Sequence, residues 1–373
     1  MSQPSATEDV WVQLFALLAV VSGVLSAHSY WQRSLPGPAA PAEVPISVSA
    51  EALQPAAPPA AAPPAASSVS APRTAGRWVV DSRMSADADC ASLGAAVAGA
   101  RDGDVIVLRP GTYEEGVQVS KSLTISGAGV SPDQVVLTHS GPKTLAISGG
   151  RVTLENLSLA NTGLRSYWVL SLAMGRLTMR NVRFRSAGQG MLVVDGDLDA
   201  SDCDLDGRTA LSVSGKSRVR LVHDTLSGEE AAVSADGGGV DLSIEGSRIQ
   251  DSRGLGLEAS RFALVRMNDV TLSGNVSAAV SIASGAEVRI TQAKIVDNRD
   301  CGVRIDGGAK VFLEQAQLER DRCGVGFVGL GTLEARNSRF SELALGAVAV
   351  KPGLESSVSI RGSGNVGLKI PGQ

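Results

Sequence analysis

The chain has 373 residues, a formal net charge of −4 and a pI near 5.6, with 43% apolar residues, 3% aromatic residues and three histidines. Such an acidic chain lacks the basic excess that a phosphate-binding rod needs, so no nucleic acid is expected as a partner. The aromatic share is too small for an extended sugar-stacking groove, and no Cys-X-X-Cys or Cys/His cluster points to zinc.

Residues 1–9 form a polar tail carrying Glu8 and Asp9. Residues 10–31 are predicted as a transmembrane signal anchor. Val10 to Ala27 is apolar apart from Gln13 and small residues, and Trp11 and Tyr30-Trp31 supply interfacial aromatics at both ends. The basic n-region of a cleaved signal peptide is missing. Residues 32–77 are dominated by Pro, Ala and Ser, a composition that cannot bury a core and reads as a disordered, semi-extended linker. Residues 78–373 suit one elongated domain. The tail has no Lys or Arg and Arg33 follows the span, which weakly favours a cytoplasmic C-terminal side.

Asp87 to Ala100 reads as a short helix with Cys90, Leu93, Val97 and Ala100 on one face, suited to plugging an N-terminal end. Short strand-like runs follow at Val105–Leu108, Val117–Ile125, Val135–Thr138 and Thr144–Ile147. Two segments are distinctive: Ala95-Ala-Val-Ala-Gly-Ala-Arg-Asp-Gly-Asp-Val-Ile-Val-Leu-Arg-Pro-Gly-Thr-Tyr113-Glu-Glu, and Ser120-Lys-Ser-Leu-Thr-Ile-Ser-Gly-Ala-Gly129. Together they resemble the opening coils of the pectin-lyase-like superfamily, within it the right-handed parallel β-helix repeat proteins with carbohydrate-binding or sugar-hydrolase-type repeats. The resemblance runs from about Asp87 to the C-terminus. It implies an all-β, right-handed, single-stranded parallel β-helix with a short N-terminal capping helix.

From residue 152 onward the repeat itself is legible. Nine corner residues, Asn156, Asn181, Asp202, His223, Gly246, Asp269, Gln292, Gln315 and Asn337, lie 21 to 25 residues apart. Positions four before, two before and three after each corner are apolar throughout, as in Val219, Leu221 and Leu226 around His223. The position three before is polar in every coil except at Phe312. Alternation of period two inside a repeat of about 22 residues marks strands with one wet face, stacked as coils of a solenoid. Nine rungs would make a rod of about 40 Å.

Several residues could carry chemistry. Tyr167-Trp168 is the only aromatic pair in the domain and could stack a sugar ring at a coil corner; a packed corner is the plainer alternative. Arg220, Arg266 and Arg289 share one outward column and could hold an acidic polysaccharide; Arg183, Arg248, Lys294 and Arg339 share another. A merely solubilising surface explains both rows more simply. Asp195, Asp197, Asp199, Asp202, Asp204 and Asp206 supply oxygen ligands of the kind calcium takes, with Asp199, Asp202 and Asp204 the weak candidates. Cross-rung ion pairs, Asp199 with Arg220 and Asp204 with Arg183, account for two of them equally well. His223 reads as a turn-ladder residue, with only Asp224 nearby as an orienting acid.

The enzymes this fold resembles imply further motifs. No Asp-Asp pair or Gly-His-Gly of the polygalacturonase type is present. The pectin-methylesterase resemblance at Gly111-Thr-Tyr113-Glu114 is not followed by that family's Gln-Asp and Asp-Phe-Ile-Phe-Gly segments. No catalytic residue and no cofactor is therefore assigned. Cys301 and Cys323 fall one coil apart in the column Leu255, Ala278, Cys301, Cys323, Leu345, which reads as an inward apolar ladder of free thiols in preference to a rung-to-rung disulfide. Lys351 to Gln373 offers no helical plug, leaving that end to loops or another protein.

An anchor, a Pro/Ala tether and a β-helix together resemble bacterial envelope proteins. The expectation is a single-pass inner-membrane protein with a periplasmic solenoid. It would bind a cell-envelope polysaccharide or scaffold an envelope protein complex, without catalysis. A polysaccharide lyase and a rod assembling end to end are the alternatives.

Overall fold

The computed structural model describes residues 76–368. The expected polar tail, membrane anchor and nearly all of the linker lie outside them. Among the described residues, no helix is long and apolar enough to cross a membrane.

The described chain is a parallel β-solenoid whose strands each pair with the equivalent strand of the next coil. A regular coil has three faces. The first is built from strands such as Arg218–Val222, Asp241–Glu245, Leu264–Asn268 and Glu287–Thr291. The second is built from Arg248–Gln250, Thr271–Ser273, Lys294–Val296, Gln317–Glu319 and Arg339–Ser341. The third includes Leu255–Ser260, Val280–Ile282, Val303–Ile305 and Val325–Phe327. Parallel register keeps equivalent residues one above the other, for example Leu242 on Val219 and Val265 on Leu242.

The nine corner residues share one backbone conformation. Each has φ between 50° and 57°, from Asn181 to His223 and Gly246. A single left-handed residue turns the chain sharply from first face to second, and Asn, Asp and Gly accept that conformation most readily. The side chains add support where they can: Asn181 Nδ2 donates to Asn156 Oδ1 at 2.8 Å and Gln292 Nε2 to Gln315 Oε1 at 3.2 Å. The His223 ring extends over the next corner, where a Cβ would stand 2.6 Å from its Cδ2. Glycine at 246 leaves that room.

Every residue of the three apolar columns is buried, with relative exposure of 5% or less. These columns form one continuous core along the solenoid. Phe312, the one break in the polar column, lies on the outside beneath the Arg289 guanidinium, 4.2 Å from ring centroid to Cζ.

At the N-terminal end a helix covers the first coils, but it spans Leu93–Gly99, shorter than expected. Cys90 is drawn away into a bridge with Val80, and Asp89 accepts the Val79 amide at 2.7 Å, which holds this stretch against a strand. Both helix ends are satisfied. The Glu115 carboxylate accepts from Leu93 N and Gly94 N at 2.6 and 2.9 Å, while Lys121 Nζ donates to Val97 O and Ala100 O at 2.8 and 2.6 Å. The motif tyrosine, Tyr113, is buried with its hydroxyl 3.0 Å from Val80 O and 2.8 Å from Arg109 O, tying the first coil to the second. Towards the other end, Val358–Ser363 forms the last first-face rung and Val366 bridges to Arg339.

Candidate functional site

The first-face column runs Asp199, Arg220, Ser243, Arg266, Arg289, Phe312, Glu334 in register. Its arginines are all engaged by acids. Arg220 Nη2 lies 3.1 Å from Glu245 Oε2, Arg266 pairs with Asp241, and Arg289 Nη2 lies 2.8 Å from Glu287 Oε1. Arg220 stands in register with Asp199 but its ion pair is with Glu245, because a long side chain reaches its diagonal neighbour on the following rung.

The second-face column runs Ser158, Arg183, Asp204, Thr225, Arg248, Thr271, Lys294, Gln317, Arg339. Arg183 is held by Asp133 and lies 3.3 Å from Asp204, which Arg185 also approaches at 3.2 Å. From Arg248 onward the column changes character. Arg248, Lys294 and Arg339 are exposed, and no carboxylate among the described residues lies within ion-pair distance of any of them. Thr271 and Gln317 alternate with them, so the cations recur every second rung, about 9–10 Å apart. Beside this row the corner residues Gln292, Gln315 and Asn337 present neutral amides, which donate and accept at once.

The acidic run does not converge. Asp195 sits at a corner with φ of 51° and accepts the Lys216 amide at 2.8 Å. Asp197 and Asp199 lie on the first face, and Asp197 is 2.8 Å from Arg176. Asp202 is the next corner, and Asp204 and Asp206 lie on the second face, Asp206 accepting from Ser227 Oγ at 3.0 Å. The fold thus distributes Asp199, Asp202 and Asp204 around a bend. Among the described residues no three His, Cys, Asp or Glu side chains come together in a metal-holding group.

Asp202, His223, Arg183, Asp204, Gln250 and Asp251 border an open surface depression of 530 Å³. Asp224 does not orient His223. It turns inward, 1% exposed, where it accepts from Cys203 N at 2.7 Å and Val222 N at 3.0 Å, and burial pushes its carboxyl up to about 7. A second depression of 780 Å³ lies at the corner between second and third faces, bordered by Asp297, Arg299, Arg320 and Glu342. Behind it a buried polar ladder climbs the coils: Ser252 N donates to Asn275 Oδ1, Asn275 N to Asn298 Oδ1, and Asn298 N to Asp321 Oδ1 at 2.8 Å. Asp321 ends the ladder, 2% exposed, with Oδ2 lacking a partner; burial pushes its carboxyl up to about 6. Sequence reasoning missed this ladder, although its residues recur every 23 positions.

Tyr167 and Trp168 stand at the corner between second and third faces, apart from both cationic rows. They are half-buried: the Tyr167 ring lies against Gly163, and Trp168 opens the strand Trp168–Ala173. The pair is packed into its corner more than it is presented.

The cysteine expectation is corrected. Cys301 and Cys323 form a disulfide, with Cα atoms 4.3 Å apart on neighbouring rungs. Their column is inward only in part: Ala278 and Cys323 are fully buried, Leu255 and Cys301 are half-buried, and Leu345 is 56% exposed. A Cβ at Gly326 would stand 2.8 Å from Cys301 Sγ and 3.3 Å from Cys323 Sγ, so glycine there makes space for the bridge. Cys90 and Cys203 are free.

With this geometry in place, comparison with known proteins gives a handedness for residues 167–321. A family model described as "Right handed beta helix region" matches residues 167–321. No curated protein matches the sequence. Among solved structures, the catalytic unit of a thermostable α-1,3-glucanase from Streptomyces thermodiastaticus is similar at a TM-score of 0.52 and 16% identity, over 74% of this chain and 65% of that one. A tailspike protein from an Acinetobacter baumannii bacteriophage, a capsular polysaccharide depolymerase, is similar at 0.50 and 10% identity, over 79% of this chain and 62% of that one. A pectin methylesterase from Erwinia chrysanthemi is similar at 0.45 and 14% identity, over 54% of this chain and 80% of that one. The described chain is a parallel β-solenoid, and residues 167–321 of it match a right-handed β-helix. At these identities the likeness speaks for the fold.

Proposed function

We propose that the solenoid is a non-catalytic binder of a linear cell-envelope polysaccharide, tethered to the bacterial inner membrane through residues 10–31 and standing in the periplasm. The observation that carries the binding reading is the register itself. Outward side chains repeat at one-rung intervals in straight columns along the solenoid, and a linear polymer laid parallel to that axis meets one such side chain at each rung. The neighbours named as a glucanase and a depolymerase of capsular polysaccharide show that such a frame can serve glycans. The absence of catalysis is inferred from the acidic run, whose carboxylates are divided between two faces and two corners, with Asp197, Asp204 and Asp206 engaged by Arg176, Arg183, Arg185 and Ser227. The Cys301–Cys323 bridge favours an oxidising compartment, since disulfides rarely persist in a reducing cytosol.

Two measurements test this. Immobilised glycans, including peptidoglycan, should retain the full chain without releasing reducing ends or unsaturated sugars; released products would contradict the non-catalytic reading. A thiol titration of the unfolded, unreduced protein should count the two free cysteines, Cys90 and Cys203, and four after reduction. Four before reduction would contradict the oxidising compartment.

A further inference from the structure

We infer that the ligand is an acidic polysaccharide carrying one carboxylate on every second sugar, bound along the second face by Arg248, Lys294 and Arg339. This rests on the polysaccharide-binding reading and adds a face, a charge and a period to it. The first-face arginines are equal in number but spoken for, each by its own acid. A polyanion binding there would first have to displace Glu245, Asp241 and Glu287. On the second face no such competitor among the described residues stands within ion-pair distance, and each cation is exposed to solvent. Glu319 is engaged by Arg320 at 3.4 Å and Asp297 by the same Arg320 at 2.7 Å, while Asp251, Asp269 and Glu342 stand at the bordering corners beyond ion-pair distance of the three cations.

The spacing selects the polymer. One rung is about 4.8 Å, comparable to the advance of one sugar along an extended chain, so cations on alternate rungs match carboxylates on alternate sugars. The intervening Thr271 and Gln317 then meet uncharged residues, whose hydroxyls they can serve as donor and acceptor. The corner amides Gln292 and Gln315 extend that neutral contact along one edge. A nucleic acid fits less well: three cations spread over five rungs give a thin charge density, and exposed aromatic rings to stack bases are missing from the row.

The test measures binding of the full chain at low salt to four probes: hyaluronan, with one carboxylate per disaccharide; polygalacturonate, with one per sugar; neutral dextran; and single-stranded DNA. Hyaluronan should bind best and weaken as salt rises. Lys294→Gln and Arg339→Gln should each lower its affinity roughly threefold to tenfold, and R248Q/K294Q/R339Q should remove it. All three side chains are exposed, so an unchanged thermal melt identifies folded variants. Preference for DNA, or hyaluronan binding that survives the triple substitution, overturns the inference. Binding to dextran alone, or tighter binding to polygalacturonate than to hyaluronan, overturns it while leaving the polysaccharide reading intact. Binding to no glycan overturns both.

Discussion

The first and second faces share each coil, the same core and a column of cations, yet they offer different surfaces. On the first face the residues two before and two after the arginine column include Asp241, Glu245 and Glu287, and these acids close over Arg220, Arg266 and Arg289. On the second face the strands shorten to three residues, as in Lys294–Val296, with the cation first, and leave little room for flanking acids beside it. Strand length, more than the count of arginines, decides whether a row of charge is available. A five-residue strand places three side chains outward and can neutralise its own centre; a three-residue strand places two.

The largest expected effect lies where the two faces should not differ. Ile244→Ala beneath the first face and Ile249→Ala beneath the second each remove a fully buried side chain from the shared core, and both should cost about 2–5 kcal/mol in denaturant unfolding. Unequal losses would break the premise that the faces differ only outside.

The borders of the second face carry the two raised acids, Asp224 and Asp321. A carboxyl with a folded pKa of about 6 or 7 holds its proton more tightly than in the unfolded chain, where it is near 3.8. Its contribution to stability is therefore fullest below pH 4 and is lost as pH rises to about 7. Melting should occur at lower temperature at pH 8 than at pH 5. Asp321→Asn, which continues the buried asparagine ladder, should raise stability at pH 8 by about 1–2 kcal/mol and change little near pH 4. A uniform shift at both values would contradict the assignment.

The comparison sharpens further if the first face can be converted. Asp241→Asn with Glu245→Gln releases Arg266 and Arg220 and should create a salt-sensitive affinity for hyaluronan several-fold above the parent on that face, measured in a second-face triple variant. The smallest effect is expected at Phe312→Ala, which removes the ring beneath Arg289 and should lower stability by about 0.5–1 kcal/mol, read from chemical denaturation.

The solenoid was legible in the sequence because its inner ladders repeat strictly. The corners at Asn156 through Asn337 could be placed to the residue, and all of them adopt the left-handed backbone. The opening motif placed a capping helix, but its length was overstated because Asp89 and Cys90 prefer contacts with Val79 and Val80. The surface was less legible. Column membership of Arg220 and Arg248 could be read from spacing, whereas ion pairing depends on diagonal neighbours and rotamers that spacing does not encode. The cysteine column was legible only in part: Ala278 and Cys323 do point inward, but the bend at the start of the third face exposes Leu345, and spacing does not encode that the two thiols are joined. Asn275, Asn298 and Asp321 recur as regularly as the apolar residues, but as polar side chains they read as surface turns until their burial is known.

The most direct measurement removes equal charge from each face. Retention of the full chain on immobilised hyaluronan would be compared between R220Q/R266Q/R289Q and R248Q/K294Q/R339Q, with melts confirming that both fold. The account predicts near-parental retention for the first-face triple and background retention for the second-face triple. Equal losses from both, or a loss confined to the first face, would contradict it.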